Sequence, residues 1–164
     1  MTSTEYVLSE RPLVIRRRVK WGDCDPAGVV YTPVFSEYVI SAAELFYGVL
    51  FDTTPQRAKR DQGFGTPTRA LTFDFQASLR PDEEFDMTVT VADVRSRTYV
   101  IDVTATTPKG TAVFIATLTP VCVARDERRS IEIPTAFRDV LLRYQADCAC
   151  ARPKTTKALR GTTS

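Results

Sequence analysis

The sequence predicts an α+β domain in which one long central helix is wrapped by a curved antiparallel sheet of about five strands. Three observations carry this. Apolar residues between 34 and 49 recur at steps of three and four, the spacing of one helix face. From residue 71 the period changes to two and holds through successive segments, as in strands with one buried side. The order of elements is strand, long helix, then a run of strands, and strands that follow one another without intervening helices pair antiparallel. With 164 residues, 43% of them hydrophobic, the chain has the length and the apolar content for one core.

Residues 1–11 are polar and read as a loose N-terminus, so the domain is expected to span 12–144. Pro12 to Lys20 reads as the first strand, with Leu13, Val14 and Ile15 at its centre. Gly, Asp and Pro cluster at 22–28, which marks a loop. Pro33 suits the first turn of a helix, where its missing N–H has no partner to lose. The helix then carries Val34, Phe35, Tyr38, Val39, Ala42, Leu45, Phe46 and Val49, an apolar arc wide enough to be wrapped on several sides. Gly48 weakens its last turn.

Residues 52–68 contain Pro55, Gly63, Gly65 and Pro67 around a charged cluster, and read as a short helix or irregular connection. The strands that follow are marked by Leu71, Phe73 and Phe75, then Phe85, Met87, Val89 and Val91, then Tyr99, Ile101 and Val103, then Val113, Ile115, Leu118, Val121 and Val123. Pro108-Lys109-Gly110 is a hairpin turn. Pro134 to Tyr144 reads as a short terminal helix, and 145–164, with Arg152, Lys154, Lys157 and Arg160, as a disordered basic tail. A single sheet of this size has open edges, which a second copy of the chain would cover, so a homo-oligomer, dimer or tetramer, is expected.

Composition removes several function classes. The net charge of +2 is too small for an extended nucleic-acid surface, though not for a local patch that holds a small polyanion. There is no histidine, so Ser-His-Asp and Cys-His catalysis are excluded within the chain. Cys24, Cys122, Cys148 and Cys150 form no C-x-x-C pair and have no histidine to complete a zinc site. With no signal-peptide pattern and no apolar run of about 18 residues, no membrane is expected, and the natural setting is a reducing cytoplasm. Neither G-x-x-x-x-G-K-[ST] nor G-x-G-x-x-G occurs, so no resident cofactor is expected and the metal prediction is none.

What remains is a carboxylate chemistry. The run Trp21-Gly22-Asp23-Cys24-Asp25-Pro26-Ala27-Gly28-Val29-Val30-Tyr31-Thr32-Pro33 sets two carboxylates just ahead of the long helix. Backbone N–H groups at a helix start hold a carbonyl oxygen or oxyanion while a carboxylate attacks, or activates water, which suits acyl transfer. Asp25 is the candidate for that role; the alternative is that Asp25-Pro26 only starts a turn. Asp23 reads as structural, accepting backbone N–H bonds. Cys24 is flanked by carboxylates that disfavour its thiolate. Gly28 suits a positive φ or a close backbone approach. Phe35 and Tyr38 face either an aryl pocket or the plain core.

The motif 22–30, followed by Pro33 and an aromatic-rich helix, resembles the 4-hydroxybenzoyl-CoA thioesterase family of hotdog-fold enzymes. Gly65-Thr66-Pro67, Arg95–Val100 and Thr106-Thr107-Pro108 are similar to later parts of the same family, and the likeness spans roughly 12–140. The resemblance implies a hotdog fold and hydrolysis of an acyl-CoA thioester to a free acid and coenzyme A, which enters as part of the substrate. It implies Asp25, before Pro-Ala-Gly, as the catalytic residue, and a backbone donor from Tyr31-Thr32 for the oxyanion. It maps Arg95 and Arg97 to the coenzyme A phosphates and brings Thr66 in from a neighbouring subunit. The first substrate to expect is a hydroxybenzoyl-CoA or close relative, in aromatic-compound metabolism. A short-chain or branched acyl-CoA, an acyl-carrier-protein thioester, and a non-catalytic acyl-CoA binding module are the alternatives.

Overall fold

The computed structural model describes residues 3–151. Six strands form one antiparallel sheet in the order β1-β2-β5-β6-β7-β4: β1 (Glu5–Glu10), β2 (Leu13–Arg18), β4 (Thr68–Phe75), β5 (Glu84–Val94), β6 (Tyr99–Thr106) and β7 (Ala112–Pro120). A small pair, β3 (Phe64–Gly65) and β8 (Val123–Ala124), closes one end. The helices are α1 (Val34–Leu50), α2 (Pro55–Asp61) and α3 (Thr135–Ala151). The α1 helix packs on β2 and β5, and α3 packs on β5 and on α1.

The wide apolar arc of α1 is explained by this wrapping: Phe35, Tyr38, Val39, Ala42, Phe46 and Leu50 are all buried. Opposite them, β5 buries alternate residues Phe85, Met87, Val89 and Val91, as its period requires. Tyr144 of α3 locks the layers together. Its hydroxyl donates to the Val89 carbonyl at 2.6 Å and accepts from the Leu13 N–H at 2.7 Å, while its ring meets Phe46 at 5.0 Å.

Four expectations are corrected. The N-terminus is not loose: Glu5–Glu10 pairs with β2 through a bulge, which makes six strands instead of five. Its polar residues sit on an edge strand, where one face meets solvent. The terminal helix runs 17 residues to Ala151, because Cys148 continues the buried stripe of Phe137, Leu141 and Tyr144 beyond the predicted stop. Residues 152–164, and with them the basic tail, lie outside the described residues. In β7 the inward set is Phe114, Ala116 and Leu118, while Ile115 is exposed; Val113 is also buried, taking the Gln76 and Ala77 N–H groups beside the strand start. Finally, Arg95 and Arg97, whose spacing about Ser96 reads as two positions on one face of a strand, lie instead in the turn 95–98 between β5 and β6, with the Arg95 N–H bonded to the Thr98 carbonyl at 2.8 Å, so strand alternation does not set their directions.

Residues 52–68, left open between helix and irregular chain, hold α2, with Pro55 at its start and the Thr54 hydroxyl accepting from the Arg57 N–H. Among the described residues no helix is long and apolar enough to cross a membrane.

Candidate active site

The acidic loop is a closed, self-bonded unit. After a 3₁₀ turn at Trp21–Asp23, the Asp25 N–H donates to the Val29 carbonyl at 3.0 Å and the Gly28 N–H donates to the Asp25 carbonyl at 2.9 Å. Gly28 has φ +78°, which an L side chain rarely adopts, and this is the reason for glycine there. The Val30 N–H donates to the Leu79 carbonyl at 2.9 Å, and the Val19 N–H donates to the Glu83 carbonyl at 2.9 Å, docking the loop beside the start of β5.

The two carboxylates have different work. Asp23 is buried. Its Oδ2 accepts from the Lys20 N–H at 3.1 Å and from the Tyr38 hydroxyl at 2.8 Å, and its carbonyl accepts from the Tyr31 N–H at 3.0 Å. This carboxylate holds the loop. Asp25 is half-buried; its Oδ1 accepts from the Ala27 N–H at 2.8 Å, and the residue lines a cavity of about 410 Å³ at the head of α1. Its turn-forming and cavity-lining roles therefore coexist. Thr32 and Phe35 line the same cavity, together with Phe75, Gln76 and Ser78.

The amides at the head of α1 are mostly used. The N–H groups of Val34, Phe35 and Ser36 donate to the carbonyls of Tyr31, Thr32 and Pro33. Because the Tyr31 N–H is taken by Asp23, it is not the donor expected of it for a substrate oxygen. Among the described residues nothing accepts from the Thr32 N–H, and the next residue, Pro33, is exposed and has no N–H to offer. Thr32 lines the cavity that Asp25 lines, just ahead of the positive end of a 17-residue helix, and its N–H is the candidate donor there.

Tyr38 does not line the cavity. It is fully buried, bonded to Asp23 and packed on Phe85 at 5.2 Å. Burial, followed by the bond to Asp23, pushes its phenol well above the ordinary value, so it stays a hydroxyl donor. Over its ring, at 4.5 Å, lies the Arg17 guanidinium, which pairs with Glu5; Glu5 in turn accepts from Ser41 of α1 at 2.6 Å. The Arg17 Nε is buried with no partner, which leaves the ring face as its compensation. This chain from the overlooked strand β1 to the acidic loop had no signal in spacing or composition. Phe75, Gln76 and Ser78 were missed for the same reason: they come from β4 and the connection after it. The Cys24 thiol is pushed up, first by burial and then by Asp23 and Asp25, which disfavours the thiolate.

Arg95, Arg97 and Thr66 are not brought to Asp25 within one chain. The arginine turn sits at the far end of the 11-residue β5 from the loop, a separation of about 30 Å at strand rise. Arg95 pairs with Asp93 at 2.8 Å, and Arg97 donates to the Ser130 hydroxyl at 3.0 Å. Thr66 lies by Tyr47, near the other end of α1.

A profile of the thioesterase-like superfamily matches residues 19–141. The 4-hydroxybenzoyl-CoA thioesterase of Pseudomonas sp. (strain CBS-3) is 25% identical over 135 residues, covering 77% of this chain and 95% of that protein. A solved mutant of 4-hydroxybenzoyl-CoA thioesterase, complexed with 4-hydroxybenzoyl-CoA, superposes with a TM-score of 0.68 at 23% identity, over 85% of this chain and 99% of that one. A 1,4-dihydroxy-2-naphthoyl-CoA thioesterase from Synechocystis does so with a TM-score of 0.69 at 21% identity, over 79% and 94%. The match runs from the end of β2 into α3 and takes in the acidic loop and the helix it precedes, and on that ground the chain belongs to the thioesterase-like superfamily, as a hotdog-fold thioester hydrolase.

Proposed function

We propose that this protein hydrolyses an aryl-CoA thioester of the hydroxybenzoyl-CoA kind to the free acid and coenzyme A. The observation that carries the reading is that Asp25 and Thr32 share one cavity with Phe35 and Phe75. The two rings stand 5.0 Å apart edge to face, and Phe73 stacks on Phe75 at 5.2 Å. An aromatic acyl group finds matching surface there, and the names of the relatives point to the same substrate class.

In the reaction, the thioester carbonyl oxygen takes the Thr32 N–H bond. Asp25 either accepts a proton from a water whose oxygen attacks the carbonyl carbon, or attacks that carbon itself to give a mixed anhydride that water then opens. In both routes the C–S bond breaks and coenzyme A leaves as thiolate. A thiolate is stable enough to depart without a strong acid, which fits a chain with no histidine.

Arg95, Arg97 and Thr66 serve this reaction only from a second copy of the chain. Support for such an assembly comes from the edge strand β4, whose Phe75 is 45% exposed, with Ile115 and Ile40 similarly open nearby. The decisive experiment is Asp25→Asn, assayed against aryl- and alkyl-CoA esters. Turnover should fall by roughly 10²–10⁴-fold while the variant still binds the ester. Retained turnover would remove Asp25 from the chemistry, and a preference for alkyl esters would remove the aryl reading.

A further inference from the structure

A second cavity, of about 300 Å³, lies at the opposite end of α1. Tyr47, which lines it, is 13 residues along the helix from Val34, about 20 Å at helical rise. A molecule held there is out of reach of Asp25 in the same chain. This volume falls at the small end of ligand pockets, which run roughly 300–1,000 Å³.

The walls are rings. Phe137 is stacked on Phe51 at 5.6 Å and tilted against Phe64 at 5.1 Å, and all three line the space. Hydroxyls lie beside it: Tyr47 and Tyr99 share a hydrogen bond, and Thr66 lines the cavity next to them. Burial holds both phenols in the neutral form, so this end of the cavity is polar but uncharged. Among the described residues that line the cavity, the only charged side chain is Arg125, which is exposed to solvent and donates to the Arg60 carbonyl at 3.2 Å. Aromatic walls with one guanidinium at an open side and no carboxylate select a flat ring that carries a negative charge.

We propose that this cavity is a second binding site, for a free aromatic carboxylate of one ring. The ring lies among Phe51, Phe64 and Phe137, and the carboxylate meets Arg125. The site does not depend on which thioester Asp25 cleaves, or on whether Asp25 cleaves one.

Calorimetric titration of the full chain with benzoate and with benzamide tests this. Benzoate should bind saturably to the parent protein and equally well to Asp25→Asn. Ala58 is buried and lines the cavity from α2, so Ala58→Trp should fill it and abolish binding. Circular dichroism checks that this variant is folded. Arg125→Gln, which keeps the walls, should weaken benzoate about tenfold, the effect of one charge-assisted bond, and leave benzamide unchanged. The proposal is overturned by absence of saturable binding. It is equally overturned if Asp25→Asn loses benzoate while Ala58→Trp keeps it, or if Arg125→Gln affects both ligands alike.

Discussion

Replacing Tyr38 by Phe removes one oxygen from the interior and tests how the acidic loop is held. The Tyr38 hydroxyl donates to Asp23 at 2.8 Å, and Asp23 is only 8% exposed, so water does not readily take the vacated place. A hydrogen bond to a charged group contributes about 1.5–3 kcal/mol, and leaving the carboxylate one donor short carries a cost of the same order. The ring itself stays, with its contacts to Phe85 and to the Arg17 guanidinium, so packing loss is small. The expected destabilisation is therefore ~2 kcal/mol, read as a lower midpoint in urea at unchanged slope. For a chain of this size it lowers Tm by about 4–8 °C. Because Asp25 is two residues from Asp23 in the same loop, kcat for thioester hydrolysis should fall more than KM rises. A variant with the stability and kcat of the parent would show that the bond does not anchor the loop, and the account of how Asp25 is presented would fail.

Two further perturbations test other parts of the structure. Gly48→Ala should destabilise the protein by ~1 kcal/mol in urea unfolding: helix propensity favours alanine by about 1 kcal/mol, but the new Cβ would stand 2.9 Å from the Thr53 carbonyl and 3.3 Å from the Pro55 ring, and overpacking costs about 1–3 kcal/mol. A gain in stability would show that this turn has slack. Raising the pH above 10 should unfold the chain, because Tyr38, Tyr47, Tyr99 and Tyr144 all have phenols pushed above the ordinary value of 10.0, in each case chiefly by burial. The folded state keeps these protons where the unfolded chain has lost them, so their contribution is full below pH 10 and declines above it. Tyr6 and Tyr31 are exposed, so phenolate absorbance beyond that of two rings should appear only together with loss of circular dichroism; a third ring ionising before unfolding would contradict the burial of these four.

The helix at 34–50, the strands from 71 to 103 and the acidic loop before the helix were legible in the sequence, because each depends on local spacing. A wrapped helix must repeat its apolar residues every three or four positions, and a strand with one buried face must alternate. The place of Asp25, in a turn ahead of the helix, was legible because it needs only a local Gly, Asp and Pro cluster followed by helical spacing. Strand β1 was not: an edge strand buries little, so its residues resemble those of a loop. Nor was the inward set of β7, where Phe114 and not Ile115 turns to the core, since the register comes from pairing with β4 and β6.

The sequence by itself determined the kind of chemistry: a chain with no histidine and with Asp25 ahead of a helix has a carboxylate reaction open to it. Only the tertiary structure decided which groups line the cavity and which are engaged elsewhere. It assigned Tyr38 to Asp23 and not to a pocket, engaged the Tyr31 amide and left that of Thr32, and brought Phe75 from β4 beside Phe35. The physical reason is that a hydrogen-bond partner or a pocket wall can come from any distance along the chain, whereas periodicity reports only on neighbours within a turn or a strand.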